Sequence, residues 1–164
     1  MNIKGLHHNA YRCRDSEETR IFYEDFLGLP LVHALRIGET KTGRAVQAMH
    51  TFFQMGDGSF LAFFEVPGSP FDFKAQQDFD LHIALEADPA TLDAMVAKAR
   101  AAGQELRGPV DHGFIRSIYL RDPNGYVVEL TAKIAGGAEV ADTAQAHDVL
   151  RDWQRGKPAM ALRP

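Results

Sequence analysis

The sequence predicts an α+β fold: two modules of βαβββ type that form a cupped, mixed β-sheet with helices on the outside. Two stretches, about 3–66 and 80–132, each run in the order strand, helix, strands. Apolar and polar residues alternate in the predicted strands, which is typical of half-buried β-structure. Each predicted helix begins at an aspartate and ends at a glycine, the residue types favoured at those ends. A further helix is expected after the second module.

Composition restricts the class of protein. The 164 residues suffice for a domain with a core, and 45% hydrophobic and 24% charged residues are ordinary for a globular chain. The net charge of -4 and the scattered basic residues argue against a nucleic-acid partner. No apolar run is long enough to cross a membrane. The single cysteine, Cys13, excludes an internal disulfide and fits a reducing compartment, so we expect a cytoplasmic protein.

The first module opens with a predicted strand over 4–14. His8 and Arg12 share one face of this strand, and His7 lies on the other. A histidine and an arginine on one face are candidates for a ligand site; the alternatives are ordinary packing and a surface ion pair. His7 is expected to pack or to face solvent.

A helix and three strands complete the first module. Asp15 is the predicted helix N-cap, Glu18 completes a capping box, and Gly28 is the expected left-handed residue after the last turn. The strands are expected at 31–37, 45–55 and 59–66. The last strand holds one carboxylate, Glu65, among aromatic residues, and the segment 67–78 is the expected linker between the modules.

The second module repeats this order. A strand over 80–87 carries His82. Asp88 is the predicted N-cap of the helix, Pro89 occupies its first position, and Gly103 ends it. A short strand then leads into the last hairpin.

The hairpin over 112–131 carries most of the candidate chemistry. Asp-Pro-Asn-Gly at 122–125 suits a tight turn between two strands. Glu129 stands among apolar residues in the second strand, and a buried carboxylate without a partner is strongly destabilising. Glu129 must therefore face solvent or have a partner, and a metal ion is one candidate.

Residues 135–164 are predicted to form a C-terminal helical extension. A small-residue linker precedes a polar helix from about 140 to 153, in which Val149, Leu150 and Trp153 are the apolar contacts. We expect this helix to dock on the domain or on a second subunit.

A histidine on the first strand and a glutamate on the last strand of each module resemble the pattern of the vicinal oxygen chelate superfamily. Its members include glyoxalase I, extradiol ring-cleaving dioxygenases, fosfomycin-resistance proteins and bleomycin-binding proteins. The opening HHNAYRCRDSEETRIFYEDFLGLPL also looks like the first strand and helix of that superfamily. The resemblance covers about 3–132, and it implies a domain over 1–134 whose sheets curl around a metal.

The resemblance implies three metal ligands, which are His8, His82 and Glu129. Two imidazoles and one carboxylate form a facial triad, a set that favours Fe(II) when oxygen is activated. Glu65 matches the fourth ligand of the glyoxalase branch, where zinc or nickel is usual; a hydrogen-bonded or solvent-facing Glu65 is the alternative. We therefore expect a divalent metal, with Fe(II) favoured and Zn, Ni or Mn possible.

The hairpin of the second module resembles the extradiol dioxygenase signature throughout its length. This implies that Tyr119 hydrogen-bonds a substrate oxygen and that His112 positions substrate or transfers protons. The alternatives are a core aromatic and a solvated loop histidine. Those enzymes also carry an acid–base histidine in the first half, and His50 is the nearest spare histidine here. Arg12 is a candidate contact for an anionic substrate.

The leading hypothesis is an Fe(II) extradiol-type dioxygenase acting on a catechol-like small molecule with two adjacent oxygens. The second hypothesis is a glyoxalase-like lyase or isomerase that uses zinc or nickel, with Glu65 as a base. The third is a metal-free binding or resistance protein of the bleomycin-binding kind. The resemblance also implies a homodimer.

Overall fold

The computed structural model describes residues 3–77, 79–137 and 142–158, and it confirms the α+β architecture with two modules of the same element order. The first module comprises β1 (Tyr11–Cys13), α1 (Ser16–Arg20), a π-helical continuation (Ile21–Phe26), β2 (Leu31–Glu39), β3 (Ala45–Gln54) and β4 (Phe60–Glu65). The second comprises β5 (His82–Glu86), α2 (Pro89–Ala102), β6 (Leu106–Asp111), β7 (Ile115–Arg121) and β8 (Val127–Lys133). Helix α3 (Thr143–Gly156) follows.

The two four-stranded sheets have the same topology. Their strand orders are β1-β4-β3-β2 and β5-β8-β7-β6, and the first strand of each module pairs in parallel with the last. This pairing places His82 on the strand next to Glu129. The strand predicted over 4–14 is regular only at Tyr11–Cys13, with one isolated bridge between His8 and Phe60. The Ala62 backbone N–H donates to the side-chain oxygen of Asn9 at 2.9 Å, so a side-chain hydrogen bond stands between the His8 bridge and the regular ladder that begins at Tyr11.

Each sheet packs one face against the helical side of its module. On β8, Val128 and Leu130 are buried in the core, so Glu129 between them points to the opposite face. Tyr119 on β7 likewise lies between the buried Ile118 and Leu120. The candidate site therefore lies on the sheet face that does not pack against the helices.

Helix α1 begins as predicted but is shorter and changes its winding. The Asp15 carboxylate accepts hydrogen bonds from the backbone N–H groups of Glu17 and Glu18, each at 2.8 Å. The capping box is only half formed, because the Glu18 side chain pairs with Arg14 instead of turning back to the cap. Gly28 adopts the expected positive φ, 86°, after the π-helical segment.

A buried polar network joins the two modules. The Tyr23 hydroxyl donates to the Asp122 carboxylate at 3.0 Å. Asn124 accepts from the backbone N–H of Arg14 at 2.8 Å and donates to the Thr19 hydroxyl at 3.2 Å. The turn of the β7–β8 hairpin is thereby fixed against the first helix, which sets the position of the second sheet relative to the first module.

Helix α3 lies slightly later in the chain than predicted. Residues 140 and 141 of the prediction fall outside the described residues. Asp142 caps the helix by accepting from the Gln145 backbone N–H at 3.0 Å. Its apolar side chains are exposed, with Trp153 60% and Val149 62% accessible, so within this single chain the helix has no docked face among the described residues. None of the helices described is long and apolar enough to cross a membrane.

Candidate functional site

The centre of the candidate site is the pair formed by His82 and Glu129. His82 pairs with Val127 in the parallel ladder, and Glu129 lies two residues further along β8, so both side chains share one face. The His82 Nε2 atom is 3.1 Å from Oε2 of Glu129. The Glu129 side chain is only 6% exposed, whereas that of His82 is 38% exposed. A buried carboxylate thus lies next to an accessible imidazole on the sheet face that does not pack against the helices.

The spacing of these two atoms fits a shared metal ion. Ligands about 2.1 Å from an ion and at right angles to one another are roughly 3.0 Å apart. An imidazole nitrogen and a carboxylate oxygen are also ligand types that suit Zn, Fe and Mn. The donor pair therefore supplies two ligands that suit a divalent cation.

Tyr119 and His112 extend this pair across the sheet. Tyr119 is the direct cross-strand neighbour of Glu129, and its ring is 6.3 Å from the His82 ring. Nε2 of His112 lies 3.1 Å from the Tyr119 hydroxyl oxygen. Burial, followed by the negative charge of Glu129, raises the pKa of Tyr119 above its usual value. The phenol is therefore protonated at neutral pH and can donate a hydrogen bond.

One neighbour of Tyr119 was not anticipated from the sequence. The guanidinium carbon of Arg107 lies 3.9 Å from the centre of the Tyr119 ring. The two residues are direct cross-strand partners on β6 and β7. The sequence predicts only a short strand before the last hairpin. The structure instead continues β6 to Asp111 through an irregularity in the ladder.

His8 lies on the first module, with an exposed side chain. It forms a bridge with Phe60, and its Nδ1 is 2.8 Å from Nδ1 of His7, so one of these two nitrogens carries a hydrogen. Over residues 3–77, 79–137 and 142–158, no three His, Cys, Asp or Glu side chains are grouped closely enough to hold a metal. The structure of one chain therefore brings together His82 and Glu129 and leaves His8 apart from them.

Glu65 points away from the face that carries His8. His8 pairs with Phe60 as His82 pairs with Val127, so the first-module equivalent of Glu129 is Ala62. Glu65 is three residues beyond Ala62 and thus lies on the opposite face of β4. Its carboxylate accepts a 2.8 Å hydrogen bond from the backbone N–H of Ser16. This geometry matches the alternative in which Glu65 is hydrogen-bonded.

The remaining candidates of the first module have mixed surroundings. The Arg12 guanidinium donates to the Ser69 backbone oxygen at 3.2 Å, while its buried Nε has no hydrogen-bond partner among the residues that the structure describes. His50 is buried and stacks on Phe64 with ring centres 3.6 Å apart. Its Nδ1 donates a hydrogen bond to the Phe63 carbonyl oxygen. His50 is therefore a packed residue, and it offers little access to a substrate.

Cys13 is expected to be chemically inert. The residue is 1% exposed, and burial raises the pKa of its thiol to about 11. A thiol protonated at neutral pH is a poor nucleophile and a poor metal ligand.

Comparison with known proteins decides the family. The sequence model of the Glyoxalase/Bleomycin resistance protein/Dioxygenase superfamily matches residues 5–130. The chain belongs to this superfamily. The match ends before α3, so the C-terminal helix lies outside the region that defines the superfamily.

Relatives and solved structures agree with this assignment. The chain is 31% identical over 146 residues to a lactoylglutathione lyase of Neisseria meningitidis, with 83% of this chain and 96% of the relative covered. A glyoxalase/dioxygenase from Nostoc punctiforme is 28% identical with a TM-score of 0.61, covering 81% of this chain and 93% of that one.

A more distant structure supports the fold alone. The fosfomycin resistance protein FosX from Listeria monocytogenes, solved with Mn(II) and sulfate, is 20% identical with a TM-score of 0.60. The alignment covers 83% of this chain and 98% of FosX. Superfamily membership and the two-module fold are therefore confirmed, and members of this superfamily typically use a divalent metal to act on small molecules.

Proposed function

We propose that this superfamily member is a metal-dependent enzyme of the extradiol ring-cleaving kind, acting on a catechol-like substrate with two adjacent oxygens. The observation that carries the proposal is the row formed by His82, Glu129, Tyr119 and His112 on one sheet face. A phenol beside the metal-ligand pair, itself hydrogen-bonded to an imidazole, provides a proton donor and a proton acceptor where a chelated substrate would lie.

The metal ligands in this proposal are His82, Glu129 and His8. Two imidazoles and one carboxylate leave coordination positions open, and that set favours Fe(II) in oxygen chemistry. When bound, the ion would supply Lewis acidity that lowers the pKa of a substrate hydroxyl, together with the redox chemistry that O2 requires.

His8 would come from a second copy of the chain. Within a single chain, His8 does not group with the His82–Glu129 pair. The sheet faces that carry these residues are nevertheless accessible, because His8 is exposed and the His82 side chain is 38% exposed. A twofold dimer in which the first module of one chain faces the second module of the other would form two equal sites. It would also cover apolar residues of β2, such as Leu35, which is 51% exposed.

Tyr119 and His112 perform the proton chemistry in this scheme. The protonated phenol of Tyr119 donates to a substrate oxygen, and His112, 3.1 Å from the same hydroxyl, exchanges a proton with it. The ring carbon–carbon bond next to one hydroxyl breaks, and both atoms of O2 are retained in the ring-opened product. Arg12, on the face of His8, is the proposed contact for an anionic part of the substrate.

A lyase acting with zinc, nickel or manganese is the second candidate. The observation that favours it is the 31% identity to a lactoylglutathione lyase over most of both chains. In the sequence-based version of that hypothesis Glu65 is the base, but its carboxylate is bound to the Ser16 backbone and lies on the far face of β4. A lyase would therefore need another base, and Tyr119 or His112 is the group at hand.

Oxygen uptake distinguishes the two candidates. Protein is loaded with Fe(II) under anaerobic conditions and mixed first with a catechol and then with O2. Separate samples loaded with Zn, Ni or Mn are mixed with an oxoaldehyde and a thiol. The proposal expects oxygen consumption with ring-opened product. Thiol-dependent conversion of the oxoaldehyde without oxygen uptake supports the lyase. A folded protein that binds none of these metals contradicts both and favours a metal-free binding protein.

A further inference from the structure

We infer that His7 is a positioning residue for the proposed metal centre: it accepts a hydrogen bond from Nδ1 of His8 and thereby directs Nε2 of His8 to the metal. This inference rests on the metal centre of the proposed function and adds a residue that is not itself a ligand. The observation that carries it is the 2.8 Å distance between the Nδ1 atoms of the two rings.

This contact determines which nitrogen of His8 is available to a metal. A neutral imidazole carries a hydrogen on one ring nitrogen and a lone pair on the other. A metal bound at Nε2 uses the lone pair there, so Nδ1 of His8 keeps the hydrogen and Nδ1 of His7 must accept it. His82 also directs its Nε2 atom to the site, since that atom lies 3.1 Å from Oε2 of Glu129.

The His7 ring is held in place by Phe60. The Phe60 backbone N–H donates to the His7 carbonyl oxygen at 3.0 Å, and the two ring centres are 5.9 Å apart. The ring centres of His7 and His8 are 5.0 Å apart, with the ring planes nearly perpendicular. In a regular strand these neighbouring side chains would point to opposite faces. They meet here because the chain around His8 forms only an isolated bridge.

The position equivalent to Glu129 in the first module holds no carboxylate. Ala62 occupies that position, and Glu65 lies on the other face of β4, bound to a backbone N–H. In the second module the residue before the histidine is Leu81, so the histidine pair belongs to the first module alone. Ligating histidines usually donate their second ring N–H to a fixed acceptor, and Nδ1 of His7 lies at the distance that this role requires.

Metal affinity provides the first test, with Zn(II) as the probe because it binds without substrate or oxygen. Competition with a chromophoric chelator gives its Kd. His7→Phe keeps a ring against Phe60 but removes the acceptor, and it should weaken Zn(II) binding about ten- to a hundredfold. His7→Asn attaches an acceptor oxygen to Cγ, where histidine has Nδ1, and should restore most of the affinity. His147→Phe, the same change at an exposed histidine of α3, should leave the Kd unchanged.

A spectroscopic measurement tests the direction of the hydrogen bond in the wild type. Long-range 1H–15N spectra of 15N-labelled, Zn(II)-loaded protein should show the hydrogen on Nδ1 of His8 and on Nε2 of His7. This measurement needs no variant, so it decides the matter even if His7→Phe does not fold.

The outcomes separate this inference from the proposed function. A hydrogen on Nδ1 of His7 in the loaded protein, or a wild-type Kd in folded His7→Phe, overturns the role of His7 and leaves the metal centre standing. Failure of the wild type to bind Zn(II), or unchanged affinity in His8→Ala, overturns the proposed metal centre and this inference with it.

Discussion

The Glu65 carboxylate accepts a 2.8 Å hydrogen bond from the backbone N–H of Ser16, at the start of the first helix. The first turn of a helix leaves backbone donors unsatisfied, so a carboxylate placed there stabilises the helix end. On the other face of β4, the position equivalent to Glu129 is held by Ala62. The first module thus offers a single histidine to the proposed metal, and its glutamate has a structural partner.

Glu65→Gln is expected to leave metal binding unchanged. Glutamine keeps an acceptor for the Ser16 N–H, whereas Glu65→Ala leaves that donor unpaired and should lower the free energy of unfolding by about 1–2 kcal/mol. Metal content by elemental analysis and thermal unfolding of both variants check this. Loss of metal in the glutamine variant would restore Glu65 as a ligand.

His8→Ala and His82→Ala are expected to complement each other in a mixed dimer. Neither variant alone should hold metal in a complete site. If each site takes His8 from one chain and the His82–Glu129 pair from the other, one site of every mixed dimer is intact. Random mixing after joint refolding should therefore restore about a quarter of the wild-type metal content. No restoration, with mixed dimers verified by mass, contradicts the shared site.

Tyr119→Phe and His112→Gln should reduce kcat with little loss of bound metal. General acid–base groups typically contribute about a hundredfold or more to rate, so a fall of that order is expected for each. Tyr126→Phe is the matched control, since it removes a phenol that lies outside the row. Steady-state kinetics with the catechol that binds best provides the measurement. Unchanged kcat in Tyr119→Phe would remove the proton donor from the mechanism.

The buried Asp122 should make the protein less stable as the pH rises. Burial raises the pKa of Asp122 above its usual value, although hydrogen bonds from Asn124, Tyr126 and Tyr23 act against this. Its contribution is therefore present below the ordinary pKa of an aspartate and is lost as the pH rises through the higher folded-state pKa. The Tm of wild type relative to Asp122→Asn should fall as the pH is raised from about 3 to about 7.

Asp88 provides the opposite case. Hydrogen bonds from the backbone and side chain of Thr91 lower the pKa of this helix cap. Its contribution is present above the ordinary pKa and is lost as the pH falls through the lower folded-state value. The Tm of wild type relative to Asp88→Asn should therefore rise with pH over the same range. Parallel trends for the two variants would contradict the assigned causes.

Sequence reasoning succeeded where local chemistry sets the structure. The Asp122–Gly125 turn, the left-handed Gly28 and the Asp88 cap follow from the preferences of a few adjacent residues. The resemblance to the superfamily implied that His82 and Glu129 lie near each other, and the parallel pairing of β5 with β8 places them 3.1 Å apart.

The remaining features depend on contacts between distant segments. The direction of Glu65 is fixed by the register of β4 and by Ser16, which the apolar pattern of the strand does not encode. Arg107 meets Tyr119 because of the register in which β6 pairs with β7, and the local sequence does not specify that register. His50 is the nearest spare histidine in the first half of the sequence, but packing against Phe64 buries it.

The most direct test of the account is the metal content of protein purified without oxygen and supplied with Fe(II). The proposal predicts about one metal ion per chain in the wild type and loss of that ion in both His82→Ala and Glu129→Gln. Circular dichroism should show that both variants remain folded. Equal metal content in wild type and variants, or a folded wild type that binds no Fe, Zn, Ni or Mn, would contradict a metal centre at His82 and Glu129.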